Sequence, residues 1–141
     1  KGVRRNSDWD RTLNVLKYAV ENEMLTKTGM MVGLGETDKE VFEAMDFAKE
    51  IGVEIFNIGQ YLQPTINHLP VERYVDPSQF MKYKEYGMKI GFNVVESGPL
   101  VRSSYHADQQ ARLYNKKIWH FSIYIYFGIN FVLNYLKNEV M

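Results

Sequence analysis

Three short runs in this chain set hydroxyl, amide, carboxylate and guanidinium groups beside glycines, where a backbone can come close to a ligand. Arg102-Ser103-Ser104-Tyr105 follows Gly98-Pro99-Leu100-Val101 at a strand exit. Adjacent serines commonly cap turns, so composition alone assigns this pair no chemistry, and its order relative to two other runs matters more. The first of those, Gly29-Met30-Met31-Val32-Gly33-Leu34-Gly35-Glu36, ends in a carboxylate able to accept hydrogen bonds from a ribose or an amine. An acid that follows glycine and precedes a helix is equally an ordinary strand-to-helix turn. The second, Asn57-Ile58-Gly59-Gln60-Tyr61-Leu62-Gln63-Pro64-Thr65, gathers Asn57, Gln60 and Gln63. Such amides can read an adenine edge or order the backbone of a long loop. His68, His106 and His120 each lack the spaced companions that a metal site needs, and they are read as structural.

These runs need elements to hold them. Ser7 stands three residues before Asp10 as in a capping box, and Trp9, Leu13, Leu16 and Val20 form one apolar stripe, which predicts a helix to about residue 23. Residues 26–33 are short, rich in Thr, Met and Val, and end in glycine, as a buried strand does. Thr37 and Glu40 make a second capping box for a helix with Val41, Met45, Ala48 and Ile51 on its apolar face, stopped by Gly52. Residues 53–59 are apolar nearly throughout, as expected of a strand covered on both faces. A long loop from Gln60 to about Asp76 leads to Pro77 in the first turn of a third helix. Phe80, Tyr83, Gly87 and Ile90 mark the buried stripe of that helix, Gly91 ends it, and residues 92–97 form a third strand. Alternating helices and strands predict an α/β fold with a parallel sheet, whose ligands lie at the carboxyl ends of the strands. Three such units make half a barrel, leaving an unpaired edge for strands contributed from elsewhere.

Bulk composition narrows the classes. The chain has 141 residues, 45% of them hydrophobic and 14% aromatic, enough for one folded domain with a modest core. Seventeen basic and seventeen acidic side chains cancel, and no basic stripe offers a footprint for nucleic acid. With no cysteine, the chain makes no disulfide and holds no thiolate-ligated iron–sulfur cluster by itself. It begins at Lys1 without a signal or transit segment, and is read as a fragment. After about residue 114 the composition changes. Residues 118–136 are mostly apolar, preceded by Lys116 and Lys117 and followed by Lys137. A membrane anchor, an amphipathic packing helix and a sequence foreign to the domain all remain open for this tail, with His120, Asn130 and Asn134 weighing against the first.

Taken in order, the three runs resemble the C-terminal half of lipoyl synthase, a radical S-adenosylmethionine (SAM) enzyme. The likeness spans roughly residues 3–112 and includes Thr26-Lys27-Thr28-Gly29, His68-Leu69-Pro70-Val71 and Gly98-Pro99-Leu100. It implies residues 1–112 as part of a radical-SAM partial (β/α)6 TIM-like barrel and 113–141 as an atypical apolar tail, since the family ends soon after the Ser-Ser-Tyr run. Residues 29–36 resemble a Gly-x-Ile-x-Gly-x-x-Glu element, with Met31 in the Ile place, that lines the SAM site. The resemblance thereby implies Gly29, Gly33, Glu36, Asn57, Gln60 and Gln63 as cofactor-binding. It also implies Ser104 as the oxygen ligand of an auxiliary 4Fe–4S cluster, with Arg102 favouring that anionic cluster or holding the loop. A serine hydroxyl is hardly ionised at neutral pH, yet iron can stabilise its alkoxide. A hard oxygen also leaves iron more readily than a thiolate does. Tyr105 is expected to pack.

The family's activity is sulfur insertion at C6 and C8 of a protein-bound octanoyl-lysine, using SAM and two 4Fe–4S clusters. The cysteine triplets that hold those clusters lie upstream in the family and are not in this chain. The implied partner is an octanoylated carrier domain, from a 2-oxoacid dehydrogenase E2 component or the glycine cleavage H protein. The implied compartment is cytoplasmic in a bacterium, and mitochondrial or plastid in a eukaryote. Two other readings are a membrane-associated or interaction fragment, from the tail, and a biotin-synthase-like radical SAM enzyme, which the Arg-Ser-Ser-Tyr run disfavours.

Overall fold

The computed structural model describes residues 9–106 and 123–124, with side chains from 11 to 106. The elements in chain order are α1 (Trp9–Glu21), β1 (Thr26–Val32), α2 (Asp38–Ile51), β2 (Ile55–Gln60), α3 (Pro77–Lys89), β3 (Val94–Gly98) and a two-residue strand, β4 (Ile123–Tyr124). The strands are parallel, in the order β3-β2-β1-β4. This is the expected α/β alternation. Among the described residues no helix is long and apolar enough to cross a membrane.

Most boundaries have a local cause. Thr37 is extended, its hydroxyl accepts from the Glu40 N–H, and the Glu40 carboxylate accepts from the Thr37 N–H at 2.8 Å, so the expected capping box starts α2. Gly52 ends that helix in the left-handed region at φ 100°, donating back to the Ala48 and Lys49 carbonyls. Asp76 caps α3 by accepting from the Ser78 N–H at 2.8 Å, with Pro77 in the first turn. Strands β2 and β3 each start two residues later than the hydrophobic pattern suggests. Val53 and Phe92 still donate backward, to the Ala48 and Gly87 carbonyls at 3.1 Å each, and so serve the helix ends although their side chains join the core.

The helices gather on one side of the sheet. Leu13 and Leu16 of α1, Val41, Met45 and Ala48 of α2, and Phe80 and Tyr83 of α3 pack on Met30, Val32, Phe56, Ile58 and Val95. In α1 the buried position expected for Val20 falls to Ala19, while Val20 is half-buried and leans over Gly52. The alternate residues of the strands face the other way. In register there, Gly29 stands beside Asn57 and Asn57 beside Glu96, while Gly59 stands beside Gly98 one row further along. The sheet therefore has one apolar face under helices and one face rich in glycine and polar groups.

At the far edge, β4 pairs Ile123 and Tyr124 with Thr26 and Lys27 of β1. The edge expected to be unpaired is thus covered at these two residues, and the tail is extended there, which is neither the anchor nor the amphipathic helix among the three readings left open for it. The capping box at Ser7, the Trp9 side chain, His120 and the rest of the tail lie outside the described residues.

Thr37→Ala removes the acceptor that starts α2 and is expected to cost about 1 kcal/mol of stability. Urea unfolding checks this as a lower midpoint at an unchanged slope; an unchanged midpoint contradicts it.

Candidate functional site

The chain leaves β3 at Gly98 and doubles back. The Val101 N–H bonds the Gly98 carbonyl at 3.1 Å, closing a turn, and residues 101–106 then cross the face of the sheet away from the helices. Three contacts mark the course. The Val101 carbonyl rests on Gly59, where any Cβ would overlap it. The Asn57 side-chain amide donates to the Arg102 carbonyl at 3.1 Å. His106 reaches Glu96 at 3.4 Å. The Arg102 guanidinium curls onto its own turn, donating to the carbonyls of Val101 at 2.7 Å and Pro99 at 3.3 Å. Both bonds lie within its own turn. Ser103 and Ser104 then stand exposed at the crest, and Tyr105 stacks on His106 with ring centroids 4.0 Å apart.

Asn57 is 1% exposed, and its side-chain oxygen is buried without a partner among the described residues. It lies against Gly29, since a Cβ on Gly29 would overlap the Asn57 carbonyl oxygen. Deeper on the same face, burial lowers the Lys27 ammonium below the ordinary lysine range, a shift partly offset by the charge of Glu96.

The other expected site residues form a separate cluster at the carboxyl ends of β1 and β2. Glu36 is 4% exposed, and its carboxylate is spent on the backbone, accepting from Gly33 N–H at 2.5 Å and Leu34 N–H at 2.9 Å. Gln60 points to the helix side and ties down the returning loop. It donates to the Tyr61 and Arg73 carbonyls and accepts from the Val75 N–H at 2.9 Å. The Gly33 carbonyl accepts from the Glu72 N–H at 2.9 Å, and a Cβ on Gly33 would meet Gln60 and Arg73. Gln63 donates to the His68 carbonyl at 2.8 Å, and the His68 ring bonds the Thr65 hydroxyl at 2.8 Å, both inside the exposed loop. The structure thus brings Gly29, Asn57 and Arg102 together on one face and Gly33, Glu36 and Gln60 at one end, with Gln63 apart in the loop.

A polar latch that sequence reading missed completes this second cluster. Arg73 donates to Asp38 at 2.8 Å and lies 3.9 Å from Glu36, while the Tyr83 hydroxyl donates to the same Asp38 oxygen at 2.5 Å. Tyr83 fits the apolar stripe of α3, and nothing local in the sequence marks its hydroxyl. Burial, and then donation to Asp38, push the Tyr83 phenol well above its ordinary range. Burial alone would raise Asp38, but the hydrogen bonds from Tyr83 and Arg73 outweigh it and hold the carboxyl below its usual value.

Among the described residues no three His, Cys, Asp or Glu side chains cluster as a metal site would require. What remains is a parallel α/β sheet carrying a hydroxyl-bearing turn on its polar face and a hydrogen-bonded polar cluster at its carboxyl end. No family model matches the chain. Curated relatives do. A lipoyl synthase of Rubrobacter xylanophilus is 54% identical over 110 residues, which cover 77% of this chain and 34% of that protein. The lipoyl synthase of Marinobacter nauticus is 53% identical over 103 residues, 72% of this chain and 30% of the relative. That of Bacteroides fragilis is 51% identical over 114 residues, 81% and 40%. The chain belongs to the lipoyl synthase family, and it spans about a third of the length of the relatives it matches.

Tyr83→Phe is expected to cost about 1–2 kcal/mol, the loss of one partly buried hydrogen bond to a carboxylate. Because the Tyr83 pKa is raised on folding, its contribution is full below about pH 10 and lost above it. Because the Asp38 pKa is lowered, its contribution is full above about pH 4 and lost as the pH falls through the folded value. The stability difference between the chain and Tyr83→Phe, followed by denaturant unfolding against pH, should therefore be flat near neutrality and shrink at both extremes. A difference independent of pH contradicts the latch.

Proposed function

We propose that this chain is the part of a lipoyl synthase that builds the second half of a partial (β/α)6 barrel and presents the serine ligand of its auxiliary cluster. Residues 1–112 are the barrel portion and residues 113–141 an appended tail. The observation that carries the reading is the seating of the Arg102–Ser104 turn on the polar face of the parallel sheet, with Ser104 exposed at its crest. In a barrel that face lines the interior, so the hydroxyl is turned toward groups supplied by the rest of the enzyme.

The donor set of this chain fits one ligand of a cluster and no more: a single serine oxygen on a held turn, with no cysteine in the sequence. Ser104 would bind iron, and Arg102 would keep the turn closed beside it. For SAM, the fit lies in the backbone. The side chains of Glu36 and Gln60 are committed to N–H and carbonyl groups of the chain, and the Gly33 and Leu34 N–H groups and the Gly33 carbonyl are taken up with them, so these groups shape the rim and contact with the cofactor would fall to the backbone around Gly35. Among the described residues, the orphaned Asn57 oxygen is the one buried side-chain acceptor left over on the polar face. Gln63, tied into the loop, contributes to its shape.

When bound in the complete enzyme, SAM with its cluster supplies the radical that activates C6 and C8 of an octanoyl-lysine, and the auxiliary cluster supplies the sulfur. The acceptor is the octanoylated carrier domain of a 2-oxoacid dehydrogenase E2 component or of the glycine cleavage H protein. The compartment follows the source, cytoplasmic in a bacterium and mitochondrial or plastid in a eukaryote.

A chimera tests this: residues 1–112 replace the matching segment of the Rubrobacter relative, and lipoylation of an octanoylated carrier domain is followed by mass spectrometry. The chimera is expected to insert sulfur, and Ser104→Ala to reduce insertion to background. Full insertion by the Ser104→Ala chimera overturns the ligand role.

A further inference from the structure

We propose that Asn57 and Gly59 of β2 are positioning residues that seat the serine turn, an inference that rests on Ser104 being a ligand. The expected role of Asn57, reading an adenine edge, is unnecessary to explain where its amide points. Its N–H group is committed to the Arg102 carbonyl, 45 residues away in sequence, and the side chain is buried. Gly59 does the complementary work by having no side chain. The Val101 carbonyl occupies the space a Cβ would take, and the Arg102 guanidinium would stand 3.3 Å from it.

The two contacts act on consecutive peptide groups, those of Val101 and Arg102. A bond at one and close packing at the other determine both the height of the turn above the sheet and its rotation. Ser104 lies two residues on, and the Tyr105 N–H bonds back to the same Arg102 carbonyl at 3.0 Å. The Arg102 carbonyl thus accepts two hydrogen bonds, one from the sheet and one from the far side of the serine pair. Any change in its position passes directly to Ser104. Arg102 reinforces the curl from within, but among the described residues its donors reach only Val101 and Pro99, so it closes the turn without attaching it to β2. Attachment is left to Asn57 and Gly59, with the His106–Glu96 contact further along.

Asn57→Asp keeps the shape and replaces the donor with an acceptor that repels the Arg102 carbonyl. In the 141-residue chain it is expected to speed tryptic cleavage after Arg102 by about tenfold, the equivalent of one hydrogen bond, and to move the Arg102 carbonyl carbon resonance. Cleavage after Lys27, in the sheet itself, should stay unchanged, which separates a released turn from general unfolding. Gly59→Ala should release the turn in the same way by displacing Val101. In the Rubrobacter chimera, Asn57→Asp with Ser104 intact should give the altered auxiliary-cluster Mössbauer spectrum of Ser104→Ala. Cleavage after Arg102 at the parent rate in both variants overturns the seat, whatever the cluster does. Faster cleavage with a cluster spectrum unmoved by either Asn57→Asp or Ser104→Ala upholds the seat and overturns the ligand role instead.

Discussion

On the face of the sheet away from the helices, the space beside Gly29 and above Gly59 is filled by main chain. Strand β2 can lie tight against β1 because Gly29 carries no Cβ to strike the Asn57 carbonyl, and the chain after β3 can fold back over β2 because Gly59 leaves room for Val101. Everything distinctive about the site follows from that second approach. A side chain at 59 would lift the turn, Asn57 would lose its acceptor, and a buried amide would be left unpaired, which is costly in a dry environment. Glycine here serves close approach of two backbones.

The second cluster obeys a different constraint. At the carboxyl ends of β1 and β2 a long loop must return to start α3, and its backbone groups need partners wherever it runs buried. Gln60 and Glu36 supply them, and Arg73 carries the loop's attachment over to Asp38 and Tyr83. Polar side chains that look free in the sequence are therefore spent on architecture. Apart from Arg73 Nε, which is buried without a partner among the described residues, the buried side-chain groups of this network are paired, and such a network resists rearrangement better than its separate bonds would suggest.

Local order was largely legible in the sequence, because capping boxes, a left-handed glycine and a first-turn proline act within a few residues. Thr37 with Glu40, Gly52, and Pro77 each placed a helix end correctly, while the Asp76 cap was not read. Strand starts were less legible, since Val53 and Phe92 have core side chains while their N–H groups still belong to the preceding helices. The site was legible as a set of runs but not as an arrangement. Asn57 and Gln60 lie three residues apart, and alternation along a strand sends them to opposite faces, one to the serine turn and one to the loop. Tyr83 looked like core, and it is; its bond to Asp38 spans 45 residues and has no local signature. Gly59 looked like part of a ligand-approach motif, and its neighbour proved to be the chain's own backbone. The two-residue strand β4 came from a tail whose composition left an anchor, a packing helix and a sequence foreign to the domain all open.

The central claim is that residues 101–106 lie across β2, and nuclear Overhauser contacts in the isotope-labelled 141-residue chain test it most directly. Cross-peaks from the Gly59 α-protons to Arg102, together with peaks from the Asn57 side-chain amide protons to Arg102 and Ser103, are the predicted result. Contacts of residues 101–106 to their sequence neighbours alone would show the turn standing away from the sheet, and would contradict the account.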